Sequence, residues 1–352
     1  MSAPFFSVLL PTRNRAEIVG GAIQSALGQT FRDLEIVLCD NDDDGTATRE
    51  AVAEISDERL RYVRTGGLSM CDNWDHALEQ ARGQHVLVLE DKQRLVPNAL
   101  EILHHHLEQL GDVPVKYGLR FAATETIAGP AMIPPAKRHD CREIIDLYCR
   151  FSYRSYALLP KGLDSTVPRD LAMRLKAESP TSHFFSYVNP DYASAFQVLG
   201  AVESIFVVES ALVYIPNNWM WGSRYSTGLA AYNKAEAARD YLAGLPFSKE
   251  EYLAQMPVKA PHLWVNAVLF DFHAFYKCKD HKPVLDWAGY HALCWLVIHV
   301  FGRKLGANMS GDSKELRKSL RRNGLGFRLR YWWRVWTCLA ALAWQKFRGG
   351  VG

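Results

Sequence analysis

The sequence predicts an α/β protein, a mostly parallel sheet with helices on both faces, followed by a largely helical C-terminal region. Two observations carry that prediction. Short apolar runs alternate with helical periodicities over the first 110 residues, and polar clusters fall at the carboxyl end of successive runs, where parallel sheets bind ligands.

The elements follow in order. Pro4–Pro11, PFFSVLLP, is a short β-prone run closed by proline, as a buried parallel strand requires. Thr12 to Asn14 turn the chain, and Ile18, Ala22, Ile23, Ala26 and Leu27 recur at helical spacing within Glu17–Leu27. Leu34–Asp40, LEIVLCD, is a second buried strand that ends in the polar loop NDDDGT. A helix runs on to Ile55, a third strand covers Leu60–Arg64, and a helix over Asp72–Ala81 is stopped by Gly83. His85–Glu90 is the fourth strand and Asn98–Leu110 the helix after it.

The middle third is less regular. Pro130–Pro135 reads as a loop, and Arg142–Phe151 and Pro168–Ala177 as helices. Asn189-Pro190-Asp191-Tyr192 precedes a helical stretch over Ala193–Leu199. Ser204–Pro216 reads as one or two strands before the aromatic-rich loop NNWMWGSRYSTG, and the chain beyond Leu229 is mostly helical. These patterns divide the chain into residues 1–110 and 111–228, two halves of one domain, and a helical, basic region 229–352. No internal repeat or low-complexity segment interrupts them.

Composition excludes several classes. A chain that is 48% hydrophobic and 22% charged is globular rather than disordered. The net charge of +3 hides an asymmetry, because residues from Phe301 onward hold 12 Lys/Arg against 2 Asp/Glu. Seven scattered cysteines without a CxxC pair argue against a disulfide framework and a zinc site, and suit a reducing compartment. No secretion signal is visible, and no apolar run reaches the ~18 to 20 residues that a spanning helix needs. A place on the cytoplasmic side is expected.

Chemistry should sit at the strand ends, where Thr12-Arg13-Asn14, Asp40-Asn41 and Glu90-Asp91-Lys92 cluster. A carboxylate after the second strand, Asp40, can accept hydrogen bonds from a base N–H or ribose hydroxyls. Arg13 can approach a nucleotide or its phosphates. Three pieces, SVLLPTRNRAE, AIQSALGQTFRDLEIVLCDND and NWDHALEQARGQHVLVLEDKQRLVPNAL, add a specific pattern. It runs from a Pro-Thr-x-Asn loop through a Gln before the second strand and an Asp after it to an Ala-x-Gly before the fourth. In this order and spacing the first third of the chain resembles the family-2 inverting glycosyltransferases of the GT-A, Rossmann-like fold, of the bacterial polysaccharide type. The resemblance implies a nucleotide-sugar pocket lined by Pro11, Thr12, Arg13, Glu17 and Asp40, with Asn41 beside it; UDP is favoured on base rate alone. Asn73, which with Trp74 reads as packing and capping its helix, also has the reach to touch the donor.

The chain departs from that family at the fourth strand. Similar enzymes place an Asp-x-Asp or Asp-Asp-Asp cluster there, holding Mg²⁺ or Mn²⁺ on the donor diphosphate, whereas here stands Glu90-Asp91-Lys92-Gln93. Losing the third carboxylate weakens a site for a hard cation. The favoured expectation is a weakened metal site on Glu90 and Asp91. The other is that the fixed charge of Lys92 takes over part of the metal's role on the leaving diphosphate.

The resemblance also implies a general base, an Asp or Glu roughly a hundred residues after that cluster near a helix start. Asp191 fits, its competing reading being a helix N-cap; Glu203 and Asp164 are weaker candidates. Trp219, Trp221 and Arg224 stack on a sugar or lipid-linked acceptor, or pack at a core edge. His104-His105-His106 reads as structural, since consecutive helical residues do not converge on one point. The basic tail carries Trp332, Trp336, Leu339 and Ala343 at helical spacing, which suits an anionic membrane surface, with packing on the catalytic domain or a partner subunit as the other reading. Nucleic acid is disfavoured because no recognition motif accompanies the basic residues.

The expected protein is therefore a peripheral enzyme of the inner membrane face. It would move a sugar to a lipid-linked or polysaccharide acceptor, with a homo-oligomer also compatible. The alternative is a non-catalytic nucleotide-sugar-binding relic serving as a subunit of a membrane polysaccharide assembly. A sugar nucleotidyltransferase is disfavoured because its glycine-rich N-terminal phosphate loop is missing.

Overall fold

The computed structural model describes residues 3–43, 45–186, 188–216, 247–261, 263–276, 283–302 and 309–347. The chain forms two compact units, Met1–Cys141 with Pro160–Met220, and Arg142–Leu159 with Trp221–Gly352. The expected boundary at 228/229 and the loop with Trp219, Trp221 and Arg224 lie outside the described residues.

The first unit is built on a mixed sheet. Its regular part is β1 (Phe6–Thr12), β2 (Leu34–Asp40), β3 (Leu60–Arg64) and β4 (His85–Val88), paired in parallel in the order β3-β2-β1-β4. Helices α1 (Ala16–Leu27), α2 (Ala47–Val52), α3 (Met70–Gln80) and α4 (Ala99–Leu110) connect and follow these strands. β1 and β2 are buried along their whole length, and for that reason they read as continuous apolar runs. Phe6, Val8 and Leu10 share one core with Val19, Ala22 and Ile23 of α1 and with Leu100 and Leu103 of α4. Gly83 lets α3 return closely to β1, since a Cβ there would lie 2.6 Å from the backbone nitrogen of Ser7.

Past β4 the sheet changes character. β5 (Arg94–Leu95), β6 (Val115–Phe121), β7 (Ala136–Asp140), β8 (Ser165–Pro168) and β9 (Ser204–Ile215) complete it in the order β4-β8-β6-β9-β5, with β7 on β9. β6 and β9 run parallel; β8, β5 and β7 pair antiparallel to their neighbours. The α/β class expected from the sequence holds, with the parallel order concentrated in β1 to β4. β5 to β8 were not expected, and Ser204–Ile215 is one continuous strand. Between β7 and β8 the chain passes through α5 (Cys141–Cys149) and α6 (Tyr153–Leu158), which count with the second unit from Arg142. α7 (Arg169–Glu178) and α8 (Pro190–Leu199) follow β8 in the first unit.

The second unit is helical. Besides α5 and α6 it holds α9 (Lys249–Ala254), α10 (Trp264–Tyr276), α11 (Trp287–Leu296), a π turn over Val297–Phe301, α12 (Ser310–Arg321) and α13 (Leu325–Phe347). Ser248 and Glu251 form a capping box on α9, and Asp286 caps α11 through the N–H groups of Ala288 and Gly289. Ala288 and Ala292 of α11 pack on Tyr331 and Val335 of α13. Among the described residues, no helix is long and apolar enough to cross a membrane.

Candidate active site

The carboxyl ends of β1, β2 and β4 meet at one rim of the sheet, and the register between them brings the predicted residues there. Pro11 and Thr12 close β1 and are buried; Arg13 and Glu17 are exposed in the loop and first turn that follow. Asp40 and Asn41 stand at the end of β2, Asn73 in the first turn of α3, and Glu90 to Lys92 just after β4.

Asp40 is fully buried, with both carboxylate oxygens engaged. One accepts from the hydroxyl of Tyr62, the other from the Asp42 N–H at 2.9 Å and from Arg64 at 3.2 Å. Asn41 ties down the following loop through Leu68, donating to its carbonyl at 2.8 Å and accepting its N–H at 2.9 Å. Asn73 accepts from the hydroxyl of Thr65 at 2.8 Å and is buried. The cap of α3 is Ser69, which accepts from the Asp72 N–H, so Asn73 serves the rim from below and not as a cap.

The two rim loops are stitched together by residues whose roles the sequence did not reveal. Asn14, at a φ of 54°, donates its backbone N–H to Asp42 and its amide to Asp43, while Arg13 donates to Asp43. Asn tolerates this left-handed backbone better than most residues, because its short polar side chain bonds locally.

At the end of β4 the cluster splits. Asp91 is buried and turned toward β1: it accepts from the Thr12 hydroxyl at 3.0 Å and from Arg15 at 2.7 Å. Burial pushes its carboxyl group's pKa up, against the pull of Arg15. Glu90 faces Lys92, with Nζ 3.1 Å from its carboxylate and about a sixth of each side chain exposed, 17% for Lys92 and 16% for Glu90. A divalent cation wants oxygen ligands, commonly six for Mg²⁺. Here it would have to displace Arg15 from Asp91 and Lys92 from Glu90. Among the described residues no three His, Cys, Asp or Glu side chains converge on a point. The expected weakened metal site on Glu90 and Asp91 therefore does not fit the groups present, each carboxylate being already neutralised by a cation of the chain.

Asp191 lies in the first turn of α8. The N-cap position is Asn189, which makes no side-chain capping bond, and Pro190 takes the first helical position, so Asp191 stands inside the helix and not at its cap. Asp191 is half-buried and keeps access to solvent. Burial raises its pKa to about 6; Lys161 pulls it down, and Glu90 and Asp164 push it up. Glu90 thus lies within electrostatic range of Asp191. The loop before it is held by Asp75 of α3, whose carboxylate accepts from the N–H groups of Phe184 and Phe185 and from His183 at 2.7 Å.

The other base candidates fall away. Glu203 is exposed before β9, and Asp164 is buried beneath two lysines. The three histidines diverge as expected: His104 packs on Phe5 and Phe31, His105 meets Gln109, and His106 bonds the carbonyl of Pro134.

A parallel four-strand layer with its polar residues gathered at the carboxyl rim is the arrangement in which open α/β sheets bind ligands. Residues 7–141 match the model of Glycosyl transferase family 2. Over 103 residues the chain is 34% identical to GalNAc(5)-diNAcBac-PP-undecaprenol beta-1,3-glucosyltransferase of Campylobacter jejuni, covering 28% of this chain and 33% of that protein. Over 99 residues it is 30% identical to UDP-Glc:alpha-D-GlcNAc-diphosphoundecaprenol beta-1,3-glucosyltransferase WfgD of Escherichia coli, covering 27% and 38%. The chain thus spans only about a third of the length of these curated relatives. The solved structure of S. aureus TarS 1–349 in complex with UDP-GlcNAc aligns over 90% of this chain and 92% of that one. Its TM-score of 0.49 and 15% identity are too low to carry more.

Proposed function

We propose that this protein is an inverting glycosyltransferase that moves a sugar from a nucleotide-sugar to the hydroxyl of a lipid-linked or glycan acceptor by single displacement. The observation that carries the reading is Asp191, a half-buried carboxylate on the rim that also presents Glu90 and Lys92, with its pKa raised to about 6. A base poised just below neutral pH is ionised where it works and still accepts a proton readily. The nucleotide is read at Pro11, Thr12, Arg13, Glu17, Asp40 and Asn41, with Asn73 supporting the rim. The Lys92 ammonium meets the diphosphate as negative charge develops on it. Two relatives whose names specify undecaprenyl diphosphate-linked acceptors, one of them a UDP-Glc donor, support a lipid-linked acceptor and UDP. α13 supports a membrane surface: Leu325, Leu329, Trp332 and Trp336 are exposed on one helical stripe flanked by Arg328 and Arg330. The site of action is then the inner face of the plasma membrane.

Asp191→Asn tests the reading. It should lower turnover by roughly a hundredfold or more, the usual worth of a general base, and leave nucleotide-sugar affinity by calorimetry within about twofold. A variant that still turns over at the wild-type rate removes Asp191 from the role of base. Wild-type protein that binds a UDP-sugar and neither transfers nor hydrolyses it supports the binding-subunit alternative.

A further inference from the structure

Beneath Asp191 lies a group of buried charges that the proposed reaction does not use. The turn Gly162–Asp164 precedes β8, and β8 runs antiparallel to β4, so the amino end of β8 reaches the rim where β4 ends. The Asp164 carboxylate accepts from two lysines at once, Lys116 of β6 at 2.9 Å and Lys161 at 3.0 Å, both on the same oxygen. Its other oxygen, Oδ1, is buried without a hydrogen-bond partner. One carboxylate therefore faces two lysines: burial pushes the Lys116 pKa down, whereas the Lys161 pKa is raised against burial by Asp164, and Lys161 is next to the start of α8. A Cβ on Gly162 would lie 3.6 Å from the Cα of Asp191, and Lys161 Nζ lies 5.5 Å from the centre of the Tyr192 ring. The Asp164 N–H donates to the Lys161 carbonyl, and the Ser165 hydroxyl donates to the same carbonyl at 2.7 Å, so the turn holding Lys161 is fixed.

We infer that Lys161, anchored by Asp164 in the turn packed against the start of α8, is the positioning residue whose charge favours the ionised form of Asp191. The charged groups bearing on Asp191 are Lys161 and Asp164 from this turn and Glu90 from the end of β4; on its own helix the Tyr192 N–H stabilises the carboxylate. Lys161 alone among those charges is positive. It offsets two carboxylates and burial, all of which favour the protonated acid. Against burial, Asp164 and Asp191 together raise the pKa of Lys161, so its charge is firmly held.

This inference rests on Asp191 being the base, and the experiment separates the two. The pH dependence of kcat/KM for sugar transfer from a UDP-sugar is measured for the full chain and for Lys161→Met, Lys161→Arg and Asp191→Asn. With Lys161→Met the acidic limb should move up by at least about one pH unit, so that activity lost at pH 7 returns as pH rises. Lys161→Arg keeps the charge and should return the limb to its wild-type position. Donor affinity by calorimetry should be unchanged in both. A limb that stays in place in Lys161→Met, or a loss that is uniform across pH and is not rescued by arginine, overturns the inference. Asp191→Asn that retains wild-type turnover overturns the reading of the base instead.

Discussion

Lys92 and Arg15 each pair with one carboxylate at the end of β4, Glu90 and Asp91 respectively. On the proposed reading the donor diphosphate meets a fixed ammonium, so nucleotide-sugar binding should survive EDTA with its affinity changed less than about threefold. Lys92→Met should weaken it by roughly ten- to a hundredfold, the worth of a charge-assisted hydrogen bond. Calorimetry with UDP-sugars, with and without Mn²⁺, measures both; binding abolished by EDTA in the wild type would return the site to a metal. The base carries a pH prediction of its own. Asp191 titrates near 6, so kcat/KM should fall as pH drops through that value and level off above it, as a profile between about pH 5 and 8 would show. A flat profile there would remove Asp191 from proton transfer.

At the scale of elements, Glu35 shows how β1, β2 and β3 are locked behind the rim. It accepts from Ser7 at 2.7 Å, from the backbone and guanidinium of Arg82, and from Arg61 at 3.1 Å. Burial raises its pKa, but these donors together hold it below the usual glutamate value. A carboxylate with a depressed folded-state pKa contributes stability above its unfolded value, and that contribution is lost as pH falls through the folded one. Glu35→Gln should therefore cost about 1 to 3 kcal/mol at neutral pH and progressively less in acid, by denaturant unfolding at pH 7 and pH 3. An equal cost at both would deny it the ionised role. β1 and β2 were legible because continuous burial leaves a continuous apolar run. β7, AKRHD, is half exposed and β8, STVP, is four residues long, so neither carries a period or a run to read. The same limit hid part of the site. Thr12, Asp40 and Glu90 end readable strands, whereas Lys116 and Lys161 reach the rim only through the antiparallel return of β8. Asp91 offered no sign that Arg15, 76 residues away, would claim it.

For the whole molecule, the question is where a chain with no spanning helix among its described residues would meet a lipid-linked acceptor. α13 gives each helical face a different task. Tyr331 and Val335 are buried against α11, while Trp332, Trp333 and Trp336 are 49%, 69% and 68% exposed, and Leu329 and Leu325 lie one and two turns before Trp332. Three large aromatics left in water on one helix are costly unless something covers them, and each buried apolar Å² returns roughly 25 cal/mol. Arg328 and Arg330 beside them each add about 1 kcal/mol near an anionic surface, a contribution that salt screens. Flotation with vesicles containing phosphatidylglycerol should recover the protein, and vesicles of phosphatidylcholine alone should recover little. Binding should weaken as salt rises and drop at least about tenfold in Trp332→Ser/Trp336→Ser, with the helical circular-dichroism signal retained. Equal recovery on neutral vesicles would assign the binding to the aromatics alone. If neither vesicle recovers the protein at low salt, the stripe faces another protein surface, and a second copy of the chain would then show as a concentration-dependent mass by light scattering that the same double variant abolishes.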